Sequence, residues 1–178
     1  MTRWFVALPL PPRAHAAAAA RLPARAPGIR PVRAADLHLT LQFLGDVDPE
    51  PARSALATVA PAPVAIGMRG GGVFPGRSGG VWWAGVAPDP GLRALRAAVG
   101  SALGAAGFPQ EGRPWRPHVT LARAQPHVLP AATEAFCAAI ASLATEPEPV
   151  PAFALFSSTP SPEGPPRYAA RWWFPLGA

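Results

Sequence analysis

One short pattern occurs twice and constrains the chain more than any other feature. His38-Leu39-Thr40-Leu41 returns as His118-Val119-Thr120-Leu121. Each copy follows an apolar run that opens on aromatics: Trp4-Phe5 lies 34 residues before the first histidine, and Trp82-Trp83 lies 36 before the second. Between run and motif the residues read as a helix. After each motif comes a second helical segment and then a strand starting near Val64 or Val150. The order β-α-β-α-β therefore appears twice. Two copies at so long a period do not make a solenoid. The natural reading is an α+β protein of two pseudo-twofold-related lobes, with residues 1–178 forming a single two-lobed domain.

The remaining elements follow from periodicity and from breakers. Apolar runs closed by Pro or Gly predict strands at 4–10, 37–45 and 81–86, and residues 118–122 predict another. Shorter strands are expected at 63–69 and 73–75, with Gly70-Gly71-Gly72 as a turn or flexible loop between them. That glycine run lacks the lysine and Ser/Thr of a phosphate loop. Helices are expected at 13–22, 48–59, 90–106 and 130–144. Asp48-Pro49-Glu50 reads as a helix start, with an N-cap, a proline in the first turn and an acid near the positive end of the dipole. Leu92, Leu95, Val99, Leu103 and Ala106 repeat at helical spacing, and Phe136, Ile140 and Leu143 point inward from the last helix. Two late strands are expected at 150–158 and 167–175, and 23–35 reads as a Pro/Gly/Arg connector.

Composition excludes several classes. Pro 26 and Gly 17 make up about a quarter of 178 residues, near the range of disordered chains, but six Trp and eight Phe supply core material. All 16 basic residues are arginine, and with ten acids the net charge is +6. Coding bias can produce such a skew, so charge alone does not establish nucleic-acid binding. The single cysteine, Cys137, excludes an internal disulfide and a Cys-based zinc site, and fits a reducing, cytoplasmic setting. As a helix residue with no His or acid placed to activate it, Cys137 is expected to be buried. No run reaches about 18 apolar residues, so no membrane span is expected. Pro9, Pro11 and Pro12 break the N-terminal apolar run too early for a signal peptide.

Side chains alternate across a strand. His38, Thr40 and Gln42 should share one face while Leu39, Leu41 and Phe43 pack in the core. In the second copy His118, Thr120 and Ala122 share a face, opposite Val119 and Leu121. A pseudo-twofold axis would bring the two polar faces together across a cleft. Imidazole titrates near neutrality, so one His can take a proton from water while the other gives one to a leaving group. The Thr hydroxyls can hydrogen-bond two non-bridging phosphoryl oxygens. Attack and departure on opposite sides of phosphorus match this two-sided arrangement, with no metal and no cofactor. His15 and His127 read as exposed, Trp115 as a core or rim residue, and at most one of Trp172 and Trp173 as inward-facing.

The paired motifs, with the blocks RPVRAADLHLTLQFLGDV (30–47) and GRPWRPHVTLAR (112–123), the opening RWFVALPLP and the tail LFSS…RYAARWWFPL (155–176) around Tyr168, resemble the 2H phosphoesterase superfamily. Within it the sequence is similar to the bacterial RNA 2',3'-cyclic phosphodiesterases, historically called 2'-5' RNA ligases. The resemblance implies two lobes, each an antiparallel sheet with helices on the outer face, and an active cleft between them. It implies hydrolysis of a terminal 2',3'-cyclic phosphate to a 2'-phosphomonoester. His118 would then be the proton acceptor that activates water, and His38 the proton donor to the 3'-oxygen. Thr40 and Thr120 would hold the phosphoryl group, and Arg123 would bind substrate. Arg123 has opposite strand parity to His118, so it reaches the cleft only if the strand ends or twists there. Arg171 departs from the aliphatic residue usual in the family three places after the tyrosine. The implied partners are RNA ends or small cyclic nucleotides, with no membrane and a monomeric chain. The alternatives are cleavage or ligation of 2'-5' linkages, and a non-catalytic RNA-end binder that uses the arginine surface.

Overall fold

A computed structural model describes residues 2–60, 63–77, 79–112, 114–128, 130–161 and 164–177. The first half holds β1 (Arg3–Pro9), α1 (Pro12–Ala19), β2 (Ile29–Pro31), β3 (His38–Gly45), α2 (Pro49–Leu56), β4 (Ala65–Ile66) and β5 (Met68–Gly76). The second holds β6 (Gly79–Val86), α3 (Pro90–Ala105), β7 (His118–Ala124), α4 (Pro130–Ala141), β8 (Glu148–Pro149), β9 (Ala152–Ser161) and β10 (Gly164–Pro175). Helix starts follow the sequence signals. The Asp48 carboxylate accepts from Glu50 N at 3.1 Å, and Asp89 accepts from Leu92 N at 2.6 Å.

Eight of the strands form one antiparallel sheet in the order β10-β9-β1-β3-β7-β6-β5, with β2 attached to β7, and β4 and β8 form a separate two-stranded sheet. The order is nearly its own mirror: β9-β1-β3 on one side of the sheet answers β5-β6-β7 on the other, with β9 of the second half and β5 of the first exchanged between the sides. The halves join at the centre, where Leu39 pairs with Val119, and again where β4 pairs with β8. The two motif strands are thus neighbours, which is how the duplication brings both histidines to one place.

Helices cover the sheet crosswise. α3, from the second copy, packs on β3 of the first, while α1 packs on β7 and β5. Leu92, Leu95, Val99 and Leu103 of α3 are buried in one cluster with Leu39, Leu41, Val119 and Leu121. Each such side chain removed from water contributes about 1.5–3 kcal/mol. The core therefore runs through both halves.

Several expectations change. The glycine run is no loop: β5 continues through it. A Cβ on Gly71 would strike the Trp83 carbonyl oxygen and the Ile140 side chain, so glycine is needed for strand β5 to lie this close to β6 and α4. Gly70, at φ +59, takes a left-handed conformation at a register shift in the β5–β6 ladder. The connector 23–35 contains β2, which has too few residues to show a strand period. Arg171 falls at a register shift in the β9–β10 ladder and is exposed, so its substitution disturbs no packing. Ala106 is exposed just past α3, and Cys137 is half-buried where burial was expected. Leu143 is buried beyond the end of α4. His127 is exposed, while His15 is half-buried with Nε2 at 3.0 Å from the Ala34 carbonyl oxygen. Among the described residues, no helix is long and apolar enough to cross a membrane.

Candidate active site

Simple alternation fails at the same point in both motif strands. In the β1–β3 ladder Ala7 pairs with Thr40 and Val6 with Gln42, leaving Leu41 without a partner. In the β6–β7 ladder Trp83 pairs with Thr120 and Trp82 with Ala122, leaving Leu121 without one. Each is a β-bulge, which re-aims the residues that follow it. Leu41 and Gln42 are both buried, as are Leu121 and Ala122. The next residue in each strand then turns to the histidine face. Phe43 is 60% exposed there and Arg123 is exposed as well. Three expectations are corrected: Phe43 is not in the core, and neither Gln42 nor Ala122 shares the face of its histidine. Gln42 is buried behind the sheet, donating to the Pro109 carbonyl at 3.2 Å and accepting from Arg96 at 3.3 Å. The bulge also removes the parity obstacle for Arg123.

The antiparallel register through Leu39 and Val119 sets His38 opposite Thr120 and His118 opposite Thr40. Each histidine therefore faces the threonine of the other copy. Both rings are fixed alike. His38 Nδ1 lies 2.7 Å from the Asp36 carbonyl oxygen, and His118 Nδ1 lies 2.7 Å from the Arg116 carbonyl oxygen. A carbonyl can only accept, so Nδ1 carries the hydrogen and the neutral ring keeps its lone pair on Nε2. A 3-10 turn at Ala34–Asp36 presents the first of these carbonyls. Trp115 Nε1 donates to the Thr40 carbonyl at 3.2 Å, tying the segment before β7 to β3.

His38, Thr40, Thr120 and Arg123 line one cavity of about 660 Å³, together with Phe43, Tyr168 and Arg3. His118 is not among its walls. It flanks the cavity from β7, edge-on to Phe74 at 4.9 Å, and its charge acts on His38. Burial holds the His38 pKa below the ordinary histidine value; the bond to the Asp36 carbonyl and the Asp36 charge oppose this, and His118 adds to it. Burial also lowers His118, opposed by the Arg116 carbonyl and reinforced by Arg123. Sequence reasoning missed the aromatic cage of His38. Tyr168 stands edge-on to it at 5.2 Å and Phe5 lies tilted at 4.9 Å. Burial raises the Tyr168 pKa. Tyr168 stood in the sequence only as a marker of the C-terminal strand, and Phe5 as one of several apolar residues. Trp172 packs against Trp4 at 5.6 Å, and Trp173 is 54% exposed.

The model of the 2'-5' RNA ligase superfamily matches residues 9–153. The chain belongs to the 2'-5' RNA ligase superfamily. It is 36% identical over 132 residues to an RNA 2',3'-cyclic phosphodiesterase of Geobacillus stearothermophilus, an alignment covering 68% of this chain but only 42% of that relative. A Thermus thermophilus protein of the same name is 36% identical over 152 residues, covering 78% of this chain and 71% of the relative. Among solved structures of the superfamily, E. coli LigT complexed with 3'-AMP superposes with a TM-score of 0.76 at 26% identity, covering 99% of each chain. The superfamily's two-lobed α+β architecture is the one described above.

Proposed function

We propose that the chain hydrolyses RNA terminal 2',3'-cyclic phosphate, and 2',3'-cyclic nucleotides, to the 2'-phosphomonoester. One observation carries the reading: two histidines, each held through Nδ1 by a backbone carbonyl and each set across the strand pair from the other copy's threonine. His118 Nε2 takes a proton from water as the water oxygen bonds to phosphorus. The bond from phosphorus to the 3'-oxygen breaks, and protonated His38 delivers its Nε2 hydrogen to that oxygen. The product carries a 2'-phosphate and a free 3'-hydroxyl. Thr40 and Thr120 donate to the two non-bridging oxygens. Arg123, on the same face, offsets the negative charge that builds on them.

The proton balance needs one histidine charged and one neutral. Charge on either imidazole disfavours charge on the other, so the pair holds one proton over a window of pH. The two histidines, the two threonines and Arg123 all come from one chain, which supports a monomer, and the sheet through both halves supports one two-lobed domain over 1–178. The single Cys137 supports a cytoplasmic setting.

The test is turnover of 2',3'-cyclic nucleotides in EDTA, with the product identified as the 2'-phosphate. Metal chelation should leave the rate unchanged. His38→Ala and His118→Ala should each lower kcat by about 10²–10⁴. Near wild-type rates in both variants would end the reading.

A further inference from the structure

The cavity that holds His38 does not end at Arg123. A second cavity of about 430 Å³ adjoins it, and Val32, Arg123, Pro166 and Tyr168 wall both. The rest of its lining is strongly basic. Arg25, Arg30 and Arg33 face it against one acid, Asp36, and that carboxylate is already bonded to Arg33. Arg30 and Arg123 stand directly opposite each other in the β2–β7 ladder. Opposed residues of an antiparallel pair project to the same face with Cβ atoms about 4.5–5.5 Å apart, where like charges are destabilising. Both side chains are exposed, and no carboxylate among the described residues forms an ion pair with either. Two facing guanidinium groups repel until an anion bridges them, and the planar guanidinium fork matches phosphate oxygens in pairs. The arrangement therefore suits a phosphate lying across β2 and β7, one cavity away from the histidines.

We propose that this arginine cavity binds a phosphodiester of the RNA strand upstream of the cyclic end, making an oligonucleotide, rather than a mononucleotide, the preferred substrate. The proposal rests on the reading of the reaction centre given above. It assigns Arg25 and Arg30, outside the His38 cavity, to strand recognition. A mononucleotide occupies only the first cavity and lacks the upstream phosphate.

The experiment compares three substrates: a 2',3'-cyclic nucleoside phosphate, the same molecule with a 5'-phosphate, and a tetranucleotide ending in a cyclic phosphate. The wild-type protein should favour the tetranucleotide in kcat/KM by about tenfold or more, through KM, with the preference falling as salt rises. Arg25→Ala/Arg30→Ala should abolish that preference and leave the cyclic nucleoside phosphate rate as it was, which also shows that the variant is folded. A variant that keeps the preference would overturn the proposal, as would a wild type without one. An equal gain from the 5'-phosphate alone would overturn the strand in favour of a mononucleotide with two phosphates. If the wild-type protein cleaves none of the three, the hydrolytic reading fails instead. Equilibrium binding of the tetranucleotide to wild type and variant then decides the arginine cavity alone: weaker binding by the variant supports it, and equal binding overturns it.

Discussion

His38 and His118 depart from free imidazole in the same direction and for the same leading reason, burial. In the proposed reaction the competent free form carries one proton on the pair. Above the lowered pKa values both rings are neutral and no acid remains; below them both are charged and no base remains. The maximum of kcat/KM against pH should therefore lie on the acid side of the ordinary value of 6.5. A rate profile from pH 4 to 9 checks this, and a maximum at or above pH 7 would contradict it. The same shifts act on stability. Between the lowered folded values and 6.5 the unfolded chain binds more protons than the folded one, so stability falls as pH drops through that window. Thermal melts at pH 7 and pH 5 should show the loss, and it should be smaller in His38→Gln. The exposed Phe43 ring in the cavity wall offers a face for a nucleobase, and base–aromatic stacking is worth about 1–3 kcal/mol. Phe43→Ala should raise KM for a cyclic purine nucleotide by roughly five- to a hundredfold with kcat nearly unchanged.

Strand alternation in the sequence correctly places His38 with Thr40 and His118 with Thr120, and misplaces everything after Leu41 and Leu121. A bulge depends on which partner residue each backbone group meets, and that information lies in β1 and β6, far along the chain from the strands it bends. The consequence is measurable at Gln42. Alternation puts it in the cleft, where its loss would slow catalysis. In the folded protein it is 1% exposed behind the sheet. Gln42→Leu should cost about 1–3 kcal/mol, because Arg96 and the Pro109 carbonyl lose their partner, and should leave kcat/KM intact. Denaturant titration and steady-state kinetics on the same preparation separate the two outcomes. The glycine run makes a related point. Its composition reads as a turn, yet the close approach of Trp83 and Ile140 explains Gly71 as a packing residue, while Gly70 serves a left-handed backbone conformation.

Across the whole molecule the two copies are not two separate stacks. Because α3 covers β3 and α1 covers β7, each half buries strands of the other. Truncating a core residue of one copy should thus weaken both. Leu95→Ala should lower stability by about 2–5 kcal/mol and shift a single transition, seen alike by tryptophan fluorescence and by far-ultraviolet dichroism. Two separated transitions would show that the halves unfold independently. The symmetry also breaks where specificity needs it. Phe43 and Arg123 occupy equivalent places after equivalent bulges, one apolar and one charged, so the cleft has a direction although its histidines are matched.

The sequence by itself determined the duplication, the α+β class and the two His–Thr pairs, because these depend on local periodicity and on a pattern repeated along the chain. Tertiary structure alone decided that the motif strands lie side by side and that each histidine faces the other copy's threonine. It also decided that bulges turn Phe43 and Arg123 toward the cleft, and that Arg30 meets Arg123 across β2 and β7. The physical reason is the same in each case. Register and bulges arise from pairing between distant segments, and a residue's own neighbours along the chain carry no record of the strand it will meet.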